Sequence, residues 1–175
     1  AGAASALINT AAALITGQSY GVRAITADTT MHVANAGSIF GGVRAVDVRN
    51  GAQATVTNQS GGTLSGGFGG VVAYGSQSTL TLQNAGRIIG TYVYGVLAMN
   101  ARASITNTGS ISGASYGIYL SDAVATVTNA GAISGYRAVY VAASTATISN
   151  QAGGSITGNH FGVRGIQAGT TLTLD

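Results

Sequence analysis

Hydrophobic and polar residues along this chain alternate in short runs instead of following the turn of a helix. The stretch from Ile105 to Gly135 shows the unit most openly. It carries Asn107-Thr-Gly-Ser-Ile-Ser-Gly113 and then Asn129-Ala-Gly-Ala-Ile-Ser-Gly135, with two alternating runs between them around Tyr116–Leu120 and Ala125–Val127. The same Asn-to-Gly signature begins at Asn9, Asn35, Asn58, Asn84, Asn107, Asn129 and Asn150. The apolar residue inside each copy is Ile15, Ile39, Leu64, Ile88, Ile111, Ile133 and Ile156, at spacings of 24, 25, 24, 23, 22 and 23 residues. Self-similarity at a fixed period of this size marks a repeat architecture. Three copies carry two extra residues after the Asn, a length that a turn absorbs.

Period-2 alternation predicts three short strands per repeat. The first is centred on the Ile or Leu just named. The second places Val22-x-Ala24, Val43-x-Ala45, Val71-x-Ala73, Val96-x-Ala98, Ile118-x-Leu120, Val139-x-Val141 and Val163-x-Gly165 inward. The third places Met31-x-Val33, Ala54-x-Val56, Leu80-x-Leu82, Ala103-x-Ile105, Ala125-x-Val127, Ala146-x-Ile148 and Leu172-x-Leu174 inward. No segment sustains a 3.6-residue period, and Gly, Thr, Ser, Asn and Val are poor helix formers. The Leu-x-x-Leu-x-Leu frame of a leucine-rich repeat is missing. The expectation is an all-β chain: a parallel β-helix, or β-solenoid, of about seven turns of 22–25 residues, with residues 1–175 as one array. Strands about 4.8 Å apart make seven turns roughly 34 Å long.

Stacking puts like residues in columns. The Asn column falls at the corner between third and first strands, where an amide can bond its own backbone and a stack of amides can form a ladder. Gly beside the first strand allows positive φ at the corners.

Composition narrows the function. The chain has 28 Gly, no Pro, no Cys and only 6% charged residues; every basic residue is Arg and every acid is Asp. A formal charge of +3 with scattered Arg does not draw a nucleic-acid footprint. No apolar run is long enough to span a membrane as a helix. Without Cys there is no disulfide framework, so stability is expected to come from repetition.

Repeats such as ATVTNAGAISG and ITNTGSISGASYGIYLS resemble the passenger domains of bacterial autotransporters and related filamentous surface adhesins. The resemblance covers essentially the whole chain as a style of repeat and transfers no site residue. It implies a right-handed parallel β-helix displayed outside the outer membrane or secreted. Neither end reads as a polar cap, so an excerpt from a longer chain is expected.

Candidate chemistry is sparse. The acids are Asp28, Asp47, Asp122 and Asp175, with Asp47 and Asp122 expected in one column three turns apart, roughly 14 Å, too far for a paired catalytic site. His32 and His160 are isolated and give no zinc spacing. No catalytic, cofactor or metal role is therefore expected of any residue. Outward positions on the third strand form a Thr-rich face, from His32/Ala34 through Thr55/Thr57 and Thr126/Thr128 to Thr173/Asp175, which resembles the arrays of ice-binding β-helices. Outward positions on the second strand read Arg23/Ile25, Arg44/Val46, Val72/Tyr74, Leu97/Met99, Tyr119/Ser121, Tyr140/Ala142 and Arg164/Ile166. Val72, Tyr74, Leu97, Met99, Tyr119 and Tyr140 are expected to make a contiguous exposed apolar patch, the candidate interaction face.

The reading from sequence is a non-enzymatic extracellular or bacterial cell-surface rod, structural or adhesive. Its expected partners are other copies of itself, end to end or side by side, and a host-surface or glycan receptor; nucleic acid and membrane insertion are not expected. The alternatives are a carbohydrate-active β-helix whose catalytic residues lie outside this chain and, third, an ice-binding protein.

Overall fold

The computed structural model describes residues 3–167 and 169–174, and among them the fold is an all-β parallel solenoid of about seven turns. Each strand pairs in parallel with its counterpart one turn away. The third strands stack as one sheet in the order Ala4–Asn9, Thr30–Asn35, Gln53–Asn58, Thr79–Asn84, Arg102–Asn107, Val124–Asn129, Thr145–Asn150 and Thr171–Leu174. Ala4–Asn9 precedes the first copy expected from the sequence; Ser5 occupies the place of Met31 in its register, which hides the strand from a hydrophobic pattern. First and second strands make the other sheet, and in the last two turns they fuse into single bent strands, Ala132–Ala142 and Ser155–Ile166.

The inward columns close a dry core. Ile39, Leu64, Ile88, Ile111 and Ile133 from the first strands are fully buried, as are Val71, Val96, Ile118 and Val139 from the second and Leu80, Leu82 and Val127 from the third. Columns of this kind let each turn bury the apolar face of the next, which a single turn could not do.

The second turn corrects the expected register. Val46 and Val48, not Val43 and Ala45, continue the column of Val22 and Ala24 below and Val71 and Ala73 above. The corner length decides it. Gly41 is followed by two corner residues before the strand starts at Arg44, as Gly66 is before Gly69 and Gly113 before Tyr116, and Gly90 by three before Tyr94; the expected register would leave no corner residue at all. Asp47 and Arg49 thus take the outward places given to Arg44 and Val46. Asp47 also leaves the column of Asp122: it pairs with Val72, whereas Asp122 follows Ser121 at a corner.

The three corners are held in three ways. At the first, Asn9, Asn35, Asn58, Asn84, Asn107, Asn129 and Asn150 form a continuous ladder. Each Nδ2 donates to the next Oδ1, at 2.7 to 2.8 Å. Asn107 Nδ2 also donates to the carbonyls of Gly109 and Ala132, closing the corner within its own turn and against the next. Asn35, Asn58, Asn107 and Asn129 are fully buried, and these bonds satisfy amides that water cannot reach.

The second corner works by absence of side chains. Of the glycines beside the first strand, Gly61 and Gly153 before it have positive φ, but Gly66, Gly90 and Gly113 after it do not; a Cβ at Gly113 would lie 2.0 Å from the Tyr116 carbonyl oxygen and one at Gly90 1.7 Å from that of Tyr94. The requirement is space for the folded-back chain. Left-handed residues lie instead at the third corner, at Asn50, Gly75, Asn100, Asp122, Ala143 and Gln167 with φ between 48° and 103°, and at the first corner of the longer copies, at Ala12, Gly61 and Gly153. Asn and Asp tolerate this conformation better than Ala does.

Candidate interaction face

The second-strand face is built from two outward columns separated by a column of small residues. The leading column runs Tyr20, Arg44, Gly69, Tyr94, Tyr116, Arg137 and Phe161; the other runs Arg23, Asp47, Val72, Leu97, Tyr119, Tyr140 and Arg164. Gly70, Gly95 and Gly117 lie between them, where a Cβ would press within 2.8 Å of an Ile Cγ2 from the first strand.

In the middle turns the result is an aromatic stack. Tyr94, Tyr116 and Tyr119 lie with ring centroids 4.9 to 5.5 Å apart and nearly parallel planes, and Tyr140 meets Tyr116 and Tyr119 edge-on. Phe68 closes the stack edge-on against Tyr94. Offset and edge-to-face pairs of this kind contribute about 0.5–1.5 kcal/mol each beyond area burial. Burial raises the Tyr94 phenol above its ordinary value, and the adjoining Tyr119 and Tyr116 phenols add to the shift.

Guanidinium groups flank the stack on both sides. At one end Asp47 is completely buried and Arg23 Nε and Arg49 Nε each donate to it at 2.9 Å, while Arg44 Nη1 stands 3.4 Å away. Arg44 also lies over the Phe68 ring, and Arg49 over Tyr74. At the other end Arg137 donates to the Tyr116 hydroxyl and sits over the rings of Tyr116, Tyr136 and Tyr140; Arg164 sits over Phe161. Five of the chain's seven arginines thus lie on one face with one carboxylate among them.

The six candidate residues divide. Tyr74 is exposed, and Met99, Tyr119 and Tyr140 are half-buried. Val72 and Leu97, at 1% and 4% exposure, are not part of any exposed patch. They point away from the core yet are covered, because the side chains of neighbouring turns close over them. Leu97 and Met99 instead line a cavity of about 190 Å³ with Arg44, Arg49, Phe68, Tyr74 and Tyr94. A contiguous apolar patch is thereby corrected to an aromatic strip bounded by cations.

No family model, curated protein or solved structure matches the chain.

The opposite, third-strand face has a plainer chemistry. Its outward columns keep register as Thr55, Thr81, Ser104, Thr126 and Thr147, and as Thr57, Gln83, Thr106, Thr128 and Ser149. His32 is exposed on it. Asp175, expected at its far end, lies outside the described residues. The described acids other than Asp47 are Asp28 and Asp122, both at corners with positive φ.

The sequence signal that could have found the charged cluster is Arg44-x-x-Asp47-x-Arg49 within one strand. In the corrected register Arg23 stands directly opposite Asp47.

Proposed function

We propose that this chain is a non-catalytic, adhesive rod displayed at a bacterial cell surface, with the second-strand face as its binding surface. The observation that carries the reading is the contrast between a uniform backbone scaffold and one face on which aromatic rings and guanidinium groups are concentrated. Aromatic and Arg side chains are the types that dominate binding energy at interfaces. The ladder of parallel strands supplies stiffness, and repetition along the axis supplies length. The resemblance of the repeats to autotransporter passenger domains supports the location. Asp47, the one buried carboxylate among the described residues, is committed to three guanidiniums and so is poorly placed to act as an acid or base.

The experiment is display of the chain on a non-adherent bacterial cell, scored by retention on a coated surface under flow. Retention above that of cells carrying the anchor alone is expected; equal retention overturns the reading.

The in-register hydroxyl columns of the third-strand face favour ice binding as a second reading. Freezing-point hysteresis of the purified chain tests it.

A further inference from the structure

The strip has a charge pattern that specifies a ligand more closely than adhesion does. Its cations stand in two groups: Arg23, Arg44 and Arg49 at one end, Arg137 and Arg164 at the other. From the Arg44 position to that of Arg137 there are four strand-to-strand steps, through Gly69, Tyr94 and Tyr116. At a strand spacing of about 4.8 Å that is about 19 Å. Between them lies the tyrosine stack.

These guanidiniums have capacity left over. Arg23 and Arg49 use Nε for Asp47, and their terminal nitrogens have no hydrogen-bond partner among the described residues. Arg44 and Arg137 each bury Nε without a partner, so what they can offer a ligand is their terminal nitrogens. The protein itself shows which acceptor fits: the carboxylate of Asp47 is held by two of these groups at 2.9 Å.

Four occupants compete for such a strip. A second copy of the chain would bring the same excess of guanidiniums, so pairing like faces opposes charge to like charge. A peptide adding as a strand needs unpaired backbone groups, and here the backbone of each central strand is already paired on both sides. A single-stranded nucleic acid needs open ring faces for its bases and a cation near each phosphate. Here the ring faces of Tyr94, Tyr116 and Tyr119 are taken up by one another, and the cations are far apart. A polysaccharide suits what remains. Its hydroxyls meet outward tyrosine edges, its apolar ring faces meet exposed Tyr74 and Phe68, and occasional carboxylates meet the guanidinium groups in bidentate pairs.

We propose that the second-strand face binds a linear polysaccharide in which uronate carboxylates are separated by neutral sugars, with Arg44 and Arg49 holding one carboxylate beside the 190 Å³ cavity and Arg137 holding another. The inference rests on the adhesive reading of the same face and names its ligand class.

The test is calorimetric titration of the whole chain with three probes: hyaluronan oligosaccharides, which alternate uronate and neutral sugar; the same oligosaccharides with carboxyls reduced to alcohols; and oligogalacturonate, charged on every sugar. Saturable binding of hyaluronan is expected. It should weaken by about tenfold or more on carboxyl reduction, and likewise in Arg49→Gln/Arg137→Gln, whose melting temperature serves as the folding control. Oligogalacturonate of equal length should bind more weakly than hyaluronan. Absence of hyaluronan binding, equal binding after reduction, or equal binding by a folded double variant overturns the proposal. Tighter binding of oligogalacturonate overturns the spacing argument. If cells displaying the chain still adhere while none of the three probes binds, the ligand class is discarded and the adhesive reading stands.

Discussion

The two broad faces of the solenoid share one backbone plan and differ in how their outward columns vary. On the third-strand face the outward residue from Thr55 onward is Thr or Ser in every turn except at Gln83, with His32 and Ala34 in the turn before. On the second-strand face the same kind of column reads Arg23, Asp47, Val72, Leu97, Tyr119, Tyr140, Arg164. The inward columns beneath both faces are equally conservative in character. The difference therefore does not come from folding, which needs only apolar residues inside and β-compatible residues outside. Thr suits that requirement without further purpose. The second-strand column instead mixes charged, aliphatic and aromatic side chains, and with its neighbours these form one aromatic stack, one ion cluster around Asp47 and a second group of arginines over aromatic rings.

The contrast can be broken most severely at Asp47. Asp47→Ala should destabilise the chain by about 2–3 kcal/mol, less than for a wholly buried pair because the arginines left behind are partly exposed. Thr55→Ala, on the other face of the same turn, should cost under about 0.5 kcal/mol. Chemical denaturation of the two variants against the parent measures both. Similar values would mean that the two faces are energetically alike.

Asn107→Leu acts at a corner that serves both faces. It removes one rung: Asn129 Oδ1 and the carbonyls of Gly109 and Ala132 lose their donor, and Asn84 Nδ2 keeps only its bonds to Gly86 and Ser110, at a cost of about 1–3 kcal/mol. A thermal melt equal to the parent's would show that the ladder adds nothing.

A smaller effect in the opposite direction is expected at the corner joining the two faces. Ala143 has φ 48° in a column otherwise held by Asn, Asp, Gln and Gly. Ala143→Gly should stabilise by about 0.5–1 kcal/mol, relief of left-handed strain outweighing the added freedom of the unfolded chain. A lower melting temperature would contradict it.

The smallest effect is a pH dependence confined to the aromatic face. The Tyr94 phenol has an ordinary value of 10.0 and is raised in the folded chain. The folded state thus holds its proton when the unfolded state has begun to lose it. Its contribution is fully present below about pH 10 and is lost as the pH rises through the folded value. Tyr94→Phe should flatten part of that decline in alkaline denaturation; an unchanged slope would remove Tyr94 as its source.

The architecture was legible in the sequence because the inward columns repeat, and repetition needs no knowledge of contacts. The second turn was misread because Val43-Arg-Ala-Val-Asp-Val48 offers Val in two phases, and only the corner after Gly41 chooses between them. That slip concealed the meeting of Arg23 with Asp47. The burial of Val72 and Leu97 was not legible for another reason. Alternation says which way a residue points from the sheet, not whether larger neighbours close over it. The glycines of the second corner were recognisable as necessary, but proximity to a carbonyl and positive φ leave the same mark in a sequence.

The central claim, that one face carries the function, is tested most directly by adhesion of cells displaying two altered chains under identical flow. One chain carries Arg49→Gln, Tyr119→Ala and Arg137→Gln; the other carries Thr55→Ala, Thr81→Ala and Thr126→Ala. Matched surface levels and melting curves establish that both are folded. Retention should be lost with the first chain and kept with the second. Loss with the second alone, or equal retention by both, would contradict the assignment.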